Sequence, residues 1–162
     1  MAPRLAKRMK LEWRYGSEAD LGLLAEWNHQ LIRDEGHQNP MTVEQLAGRM
    51  KTWLQGEYRS VIFSERAPVA YALFKKEDRL IYLRQLFVQR ERRRCGIGRE
   101  AFTILRREIW PSHVRLTVDV LCQNVGAMVF WRNLGYQDYS LTLEIMPENN
   151  PDGNNIGAGI RQ

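Results

Sequence analysis

The stretch from Ile81 to Ala101, IYLRQLFVQRERRRCGIGREA, constrains the fold more than any other. Ile81, Leu83, Leu86, Phe87 and Val88 supply the β-branched, aromatic and aliphatic side chains of a buried strand. After Val88 the chain turns to charge, in Arg90, Glu91, Arg92, Arg93 and Arg94. Gly96 and Gly98 then allow positive φ and close approach of a ligand to the backbone. From Ile97 the apolar residues recur at helical spacing (Ile97, Ala101, Leu105, Ile109), with Arg99, Glu100, Thr103 and Arg106 on the wetter side. A glycine turn that opens a helix offers unpaired backbone N–H groups and the positive end of the helix dipole. With arginines around it, the stretch is expected to bind a phosphate-bearing ligand.

Gly96-Ile97-Gly98-Arg99-Glu100-Ala101 also fits the dinucleotide fingerprint, and Asp119 follows at about the twenty-residue spacing that fingerprint asks for. Two features oppose that reading. Gln89 to Cys95 separate the strand from the first glycine, and Asp119, followed by Val120 and Leu121, is expected inside a strand and not at its tip. A P-loop is excluded, because no Gly-Lys-Ser/Thr follows.

The segment Val88-Gln89-Arg90-Glu91-Arg92-Arg93-Arg94-Cys95-Gly96-Ile97-Gly98 resembles the Arg/Gln-x-x-Gly-x-Gly/Ala loop of GNAT-type acetyl-CoA-dependent N-acetyltransferases. A second segment, Asn124 to Tyr136 (NVGAMVFWRNLGY), is similar to that family's Asn-x-x-Ala-x-x-Phe-Tyr-x-x-x-Gly-Phe motif. Together they carry the resemblance over roughly Leu80 to Leu143; the N-terminal half matches only in layout. The resemblance implies acetyl-CoA as cosubstrate, its pyrophosphate held by backbone amides of the loop. The implied coenzyme residues are Leu86, Phe87, Val88, Arg93, Arg94, Cys95, Gly96, Ile97, Gly98 and Arg99, with Asn124, Ala127, Phe130 and Trp131 downstream.

Apolar content of 44% and charged content of 27% are those of a globular domain, and 162 residues suit one such domain. Residues 10–146 are expected to form it, between a basic N-terminal arm (1–9) and a flexible Asn/Gly/Pro-rich tail (147–162). No apolar run reaches membrane-spanning length, and the N-terminus lacks a signal peptide's apolar core, so a cytoplasmic location is expected. Cys95 and Cys122 show no metal or redox spacing, and His29, His37 and His113 are scattered, so no metal is expected. The net charge of +5 invites a nucleic-acid reading, but the excess gathers at Arg4 to Lys10 and Arg90 to Arg99. The second cluster lies where coenzyme phosphates would bind and lacks interleaved aromatics, so nucleic acid is not the expected partner. A homodimer is compatible with the sequence.

Lys10 to Tyr15 reads as a first strand. Ser17 to Asp20 and Thr42 to Gln45 read as capping boxes that open two helices, ended by Gly36 and Gly56. Ser60 to Glu65, Val69 to Lys75 and Leu80 to Val88 read as three strands joined by hairpin turns. The helix from the glycine turn stops at Pro111. Val114 to Leu121 is expected as a strand, Asn124 to Gly135 as a capped helix, and Tyr136 to Met146 as one or two last strands. The fold expected is α/β (α+β): a mixed, mostly antiparallel central sheet with helices on both faces. The resemblance adds that two central strands splay apart to admit the cofactor.

Acetyl transfer to an amine requires an uncharged nucleophile, a polarised thioester carbonyl and a stabilised leaving thiolate. A backbone N–H near Phe87 or Val88 is the candidate for polarising the carbonyl. A lysine-like amine, with its reference pKa near ~10.4, is unprotonated about one part in a thousand at neutral pH, so a positioned base would help. Glu35 is the first candidate and His37 the second, from the loop Arg33 to His37; Gln85 is a candidate to orient a water. The bland alternatives are a solvated loop and a polar strand face. In the resembled family a tyrosine commonly follows the helix phenylalanine and protonates the thiolate. Here Trp131 follows Phe130, and an indole N–H donates a hydrogen bond without surrendering its proton. Trp131 is therefore expected to donate to the sulfur or to pack beside the pantetheine arm, with Tyr136 and Tyr139 as other candidate acids. The acceptor would be an amine of a small molecule or a protein. The rival readings are a non-catalytic acyl-CoA-binding sensor and a nucleic-acid module.

Overall fold

The computed structural model describes residues 10–148, so the basic arm over 1–9 and positions 149–162 of the tail lie outside the described residues. The chain runs β1 (Glu12–Tyr15), α1 (Leu21–Glu35), α2 (Val43–Gln55), β2 (Tyr58–Ser64), β3 (Pro68–Glu77), β4 (Leu80–Val88), α3 (Ile97–Ile104), β5 (Arg115–Val118) and α4 (Val125–Asn133). The five strands lie in sequence order across one sheet. β1 to β4 pair antiparallel, and β5 joins β4 parallel, which makes the sheet mixed and mostly antiparallel as expected.

Helix boundaries follow from local chemistry. The Thr42 side chain accepts from the Gln45 N–H, and the Gln45 side chain in turn accepts from the Thr42 N–H at 2.9 Å, which sets the start of α2. Such a cap contributes about 1 kcal/mol. Ahead of α1, a short 3-10 turn carries Asp20, whose carboxylate accepts from the Ser17 N–H at 2.8 Å and pairs with Arg14. Gly36 ends α1 in the left-handed region at φ 75°, where a side chain would add strain.

The two sheet faces bury separate cores. On one, α1 and α2 cover Ile62, Tyr71, Leu73 and Phe87 with Leu24, Trp27, Leu31 and Met50. On the other, α3 and α4 cover Val61, Phe63, Phe74, Ile81 and Leu83 with Ile97, Ala101, Phe102, Leu105 and Trp131.

Four expectations need correction. The α3 helix does not run regularly to Pro111: its last turn, Leu105–Ile109, is π-helical, and Trp110 ends it. Strand β5 is four residues long, not eight: its parallel pairing with β4 ends at Leu83 opposite Val118, where the β4 register is broken. Asp119 consequently lies just past the strand tip, where its carboxylate accepts from the Tyr82 hydroxyl at 2.9 Å. The expected last strand over 136–146 is absent: Leu141, Leu143 and Ile145 alternate as a strand would, yet stand exposed in irregular chain. Strand propensity without a ladder partner and a buried face does not make a strand.

Candidate active site

A single inserted residue organises the site. In the β3–β4 ladder Leu73 faces Gln85 and Phe74 faces Leu83, so Arg84 is an extra residue on β4. Such a bulge bends the strand and re-aims its side chains. Before it, Ile81 and Leu83 enter the α3/α4 core; beyond it, Phe87 enters the α1/α2 core while Leu86 and Val88 turn toward α3. The β4–β5 pairing stops at Leu83 opposite Val118, so from the bulge to Val88 the edge of β4 away from β3 has no strand beside it among the described residues. The backbone of Leu86, Phe87 and Val88 thus lines an open wedge between the two strands.

The glycine turn closes the mouth of that wedge. Arg94 (φ 59°) and Gly96 (φ 79°) both take left-handed backbone, and the Arg94 conformation costs about 1 kcal/mol or more. The Glu100 N–H donates to the Gly96 carbonyl at 3.0 Å, which leaves the amides of Ile97, Gly98 and Arg99 ahead of the helical ladder. Gly98 faces the wedge: a Cβ there would stand 3.2 Å from Phe130 Cζ and 3.7 Å from Val88 Cγ2. Ile97 is buried beneath, whereas Cys95 is exposed and only leans on the Arg93 carbonyl.

The arginines divide into two sets. Arg90 and Arg93 both pair with Asp34 on α1, and Arg92 pairs with Glu65. Arg93 also donates from Nε to the Val88 carbonyl at 2.8 Å and lies over the Phe87 ring. Burial alone would raise the Asp34 carboxyl, but hydrogen bonds from Arg90 and Arg93 outweigh it and hold the pKa below the ordinary value. These three side chains therefore strap the turn to the body of the protein. Arg94 and Arg99 are exposed and have no carboxylate partner among the described residues. Arg99 also borders a groove of about 340 Å³ between α3 and α4, with Arg106, Arg107 and Asn133.

Helix α4 supplies the other wall. The Asn124 side chain caps it, accepting from the Ala127 N–H at 3.1 Å. Phe130 faces Gly98, whereas Trp131 points inward, edge-on to Phe102 and Tyr136 in the α3/α4 core. Tyr136 sits in that same core with its hydroxyl buried, and Tyr139 is exposed with its ring beside Arg115 on β5.

On the opposite face of the sheet the candidate acceptor residues converge. Glu35 and His37 meet at 2.9 Å across the left-handed Gly36. Gln85, the candidate to orient a water, with a half-exposed strand face as its bland alternative, is buried: it accepts from the Tyr71 hydroxyl at 2.9 Å and donates to Asn28 Oδ1 at 2.8 Å. Burial pushes the Tyr71 phenol far above its ordinary value, and the charge of Glu35 pushes it further. The Asn28–Gln85–Tyr71 chain is thus buried on this face, within electrostatic reach of Glu35.

Two residues on this face were not singled out from the sequence. Arg49 on α2 and Arg84 on the bulge both lie 4.4 Å from the centre of the Trp53 ring. Neither has a carboxylate partner among the described residues, although Arg84 Nη1 reaches the Tyr58 hydroxyl at 3.3 Å. Nε and Nη2 of Arg49 and Nε of Arg84 are buried without an acceptor. Burial, then the neighbouring Arg84 charge, brings the Arg49 pKa down to about 10, so it stays charged at neutral pH. Contact with an aromatic face is worth about 0.5–2 kcal/mol per cation. Each unmet buried donor costs about 1–3 kcal/mol, so stacking does not offset the arrangement. The signals were present: a consecutive Arg-Gln pair inside an apolar strand, and Arg49 one helical turn before Trp53. Trp53, expected as core packing, is half-buried at this rim.

No curated protein matches the chain. Among solved structures, a possible acetyltransferase from Clostridium difficile 630 is 17% identical with a TM-score of 0.70, over 85% of this chain and 97% of its own. An acetyltransferase from Thermus thermophilus is 22% identical with a TM-score of 0.65, over 79% of this chain and 87% of its own. The aminoglycoside N-acetyltransferase AAC(6')-Iy, solved in complex with CoA, is 13% identical with a TM-score of 0.67, over 86% of this chain and 95% of its own. These likenesses establish the fold. Residues 23–136, which hold the wedge, the glycine turn and α4, match the Acetyltransferase (GNAT) family. The chain belongs to that family.

Proposed function

We propose that the protein transfers an acetyl group from acetyl-CoA to a primary amine by direct attack on the thioester. The observation that carries this reading is the wedge between β4 and β5 with the glycine turn and the start of α3 at its mouth. The amides of Ile97, Gly98 and Arg99 hold the diphosphate, with Arg94 and Arg99 adding charge. The free edge of β4 from Leu86 to Val88 aligns the pantetheine arm and offers an N–H to the thioester carbonyl. Asn124, Ala127 and Phe130 line the far wall.

The amine enters from the α1/α2 side. Glu35, alone or with His37, accepts the proton that the amine loses as its nitrogen bonds to the carbonyl carbon and the carbon–sulfur bond breaks. Gln85 is bound on both sides, so its role is to hold the shape of this face. Trp131 packs the helix to the core. The thiolate, with a reference pKa near ~8.5, leaves without a dedicated acid.

The family name and the fold of enzymes such as AAC(6')-Iy support this reading. The domain is the 10–146 unit, and we place it in the cytoplasm on its exposed free thiols. Among the described residues, no helix is long and apolar enough to cross a membrane. A homodimer would be tested by sedimentation. Thiol release from acetyl-CoA with a panel of amines tests transfer itself. A second reading, coenzyme binding without catalysis, draws on the burial of Trp131 where the family commonly has a tyrosine. The nucleic-acid reading loses ground, because Arg90, Arg92 and Arg93 are already paired with carboxylates.

A further inference from the structure

We infer that Arg49 and Arg84, gathered on Trp53 beneath α2, form an anion site that selects acceptor amines bearing their own carboxylate or phosphate. The inference rests on the acetyl-transfer reading for the word acceptor, but not for the anion site itself. Two guanidinium groups sharing one indole, with three buried N–H donors unmet, lack the one thing an oxyanion would supply. The bulge sets Gln85 on the same side of the sheet as Arg84, where unbroken alternation would put them on opposite sides. Charge of both signs flanks this face. Glu35, hydrogen-bonded to His37, and Arg49, beside Arg84 on Trp53, both act on the buried Tyr71, so an acidic and a basic group flank the same face. A zwitterionic acceptor fits that arrangement, its ammonium toward Glu35 and its anion toward the arginines. A polycationic amine would meet like charge.

The test begins with a readout that needs no turnover. The protein is saturated with coenzyme A, its binding confirmed by calorimetry, so that anions no longer compete for the glycine turn. Glutamate, phosphoethanolamine and ethanolamine, which carries no anion, are then titrated while the thermal midpoint is followed. At about ten times Kd, glutamate or phosphoethanolamine should raise the midpoint by about 3–5 °C, and ethanolamine should not. The better of the two anions tells carboxylate from phosphate. The rise should vanish in Arg49→Gln and Arg84→Gln and survive largely in the charge-keeping Arg49→Lys and Arg84→Lys, which also serve if a Gln variant fails to fold. In initial-rate assays, kcat/KM for the anionic amine should fall about 10–100-fold in each Gln variant, chiefly through KM, with the KM for acetyl-CoA unchanged. Anions that shift the midpoint no more than ethanolamine, or variants that lose acceptors with and without an anion alike, would overturn the proposal. A clear anion shift without acetylation of any acceptor would keep the anion site and remove the transfer reading.

Discussion

Replacing Gly98 separates coenzyme binding from stability. Its backbone is not left-handed, so an L side chain is tolerated there, but the added Cβ meets Phe130 at 3.2 Å and 3.4 Å and Val88 at 3.7 Å. Phe130 must give by a few tenths of an ångström, which overpacking data put at about 1 kcal/mol or more. Removing a glycine from a helix returns about 0.5–1 kcal/mol, so Gly98→Ala should melt within a few degrees of wild type. Its methyl nevertheless narrows the wedge mouth, and coenzyme affinity should fall roughly tenfold. Gly98→Asp adds a carboxylate to the first turn of α3, where the helix dipole favours it by about 0.3–1 kcal/mol. Against a bound diphosphate the same charge, at about 4 Å and an effective dielectric near 20, costs about 4 kcal/mol per unit charge. That is roughly a thousandfold in Kd, enough to abolish measurable binding. Calorimetry with acetyl-CoA on the three proteins, each with its melting curve, provides the assay. Equal heats for wild type and a folded Gly98→Asp would remove the coenzyme from this turn.

Three further outcomes follow from the same geometry. Glu35→Gln should lower turnover about 10²-fold or more, with a larger loss at low pH than at high pH; a uniform loss would assign Glu35 to binding. Trp131→Phe should lower stability by about 1–2 kcal/mol through lost packing on Phe102 and Tyr136, yet leave kcat near wild type; a large gain in Trp131→Tyr would point to a missing acid. Asp20 titrates at about 2, held below its ordinary value first by the Arg14 hydrogen bond, so its contribution is present above the unfolded value and lost as pH falls through about 2. Because Arg14 is half exposed, that contribution is about 1–2 kcal/mol. Asp20→Asn should cost that much near pH 6 by chemical denaturation, and nothing below pH 2.

Much of the site was legible because local chemistry writes it. The Gly96 turn, the Asn124 cap and the Gly36 stop each depend on a residue type that few others replace, and each sits where the sequence put it. The bulge at Arg84 has no such signature. Ile81, Leu83, Gln85 and Phe87 alternate with half-buried residues along all of β4, so the period looks unbroken while its second half serves the opposite core. The ion pairs of Arg90, Arg92 and Arg93 were equally hidden, because Asp34 and Glu65 approach from distant positions in the chain. The exposed Leu141, Leu143 and Ile145 show the reverse failure, in which a strand pattern is written and no partner edge receives it.

The most direct test of acetyl transfer is an initial-rate measurement of thiol release from acetyl-CoA with the amine panel, the acceptor analysed by mass spectrometry. One acetyl group should appear on the acceptor nitrogen for each thiol released, and the rate should collapse in Gly98→Asp. Tight coenzyme binding with no acetylated amine in any class would contradict the account and leave a coenzyme-binding protein in place of an enzyme.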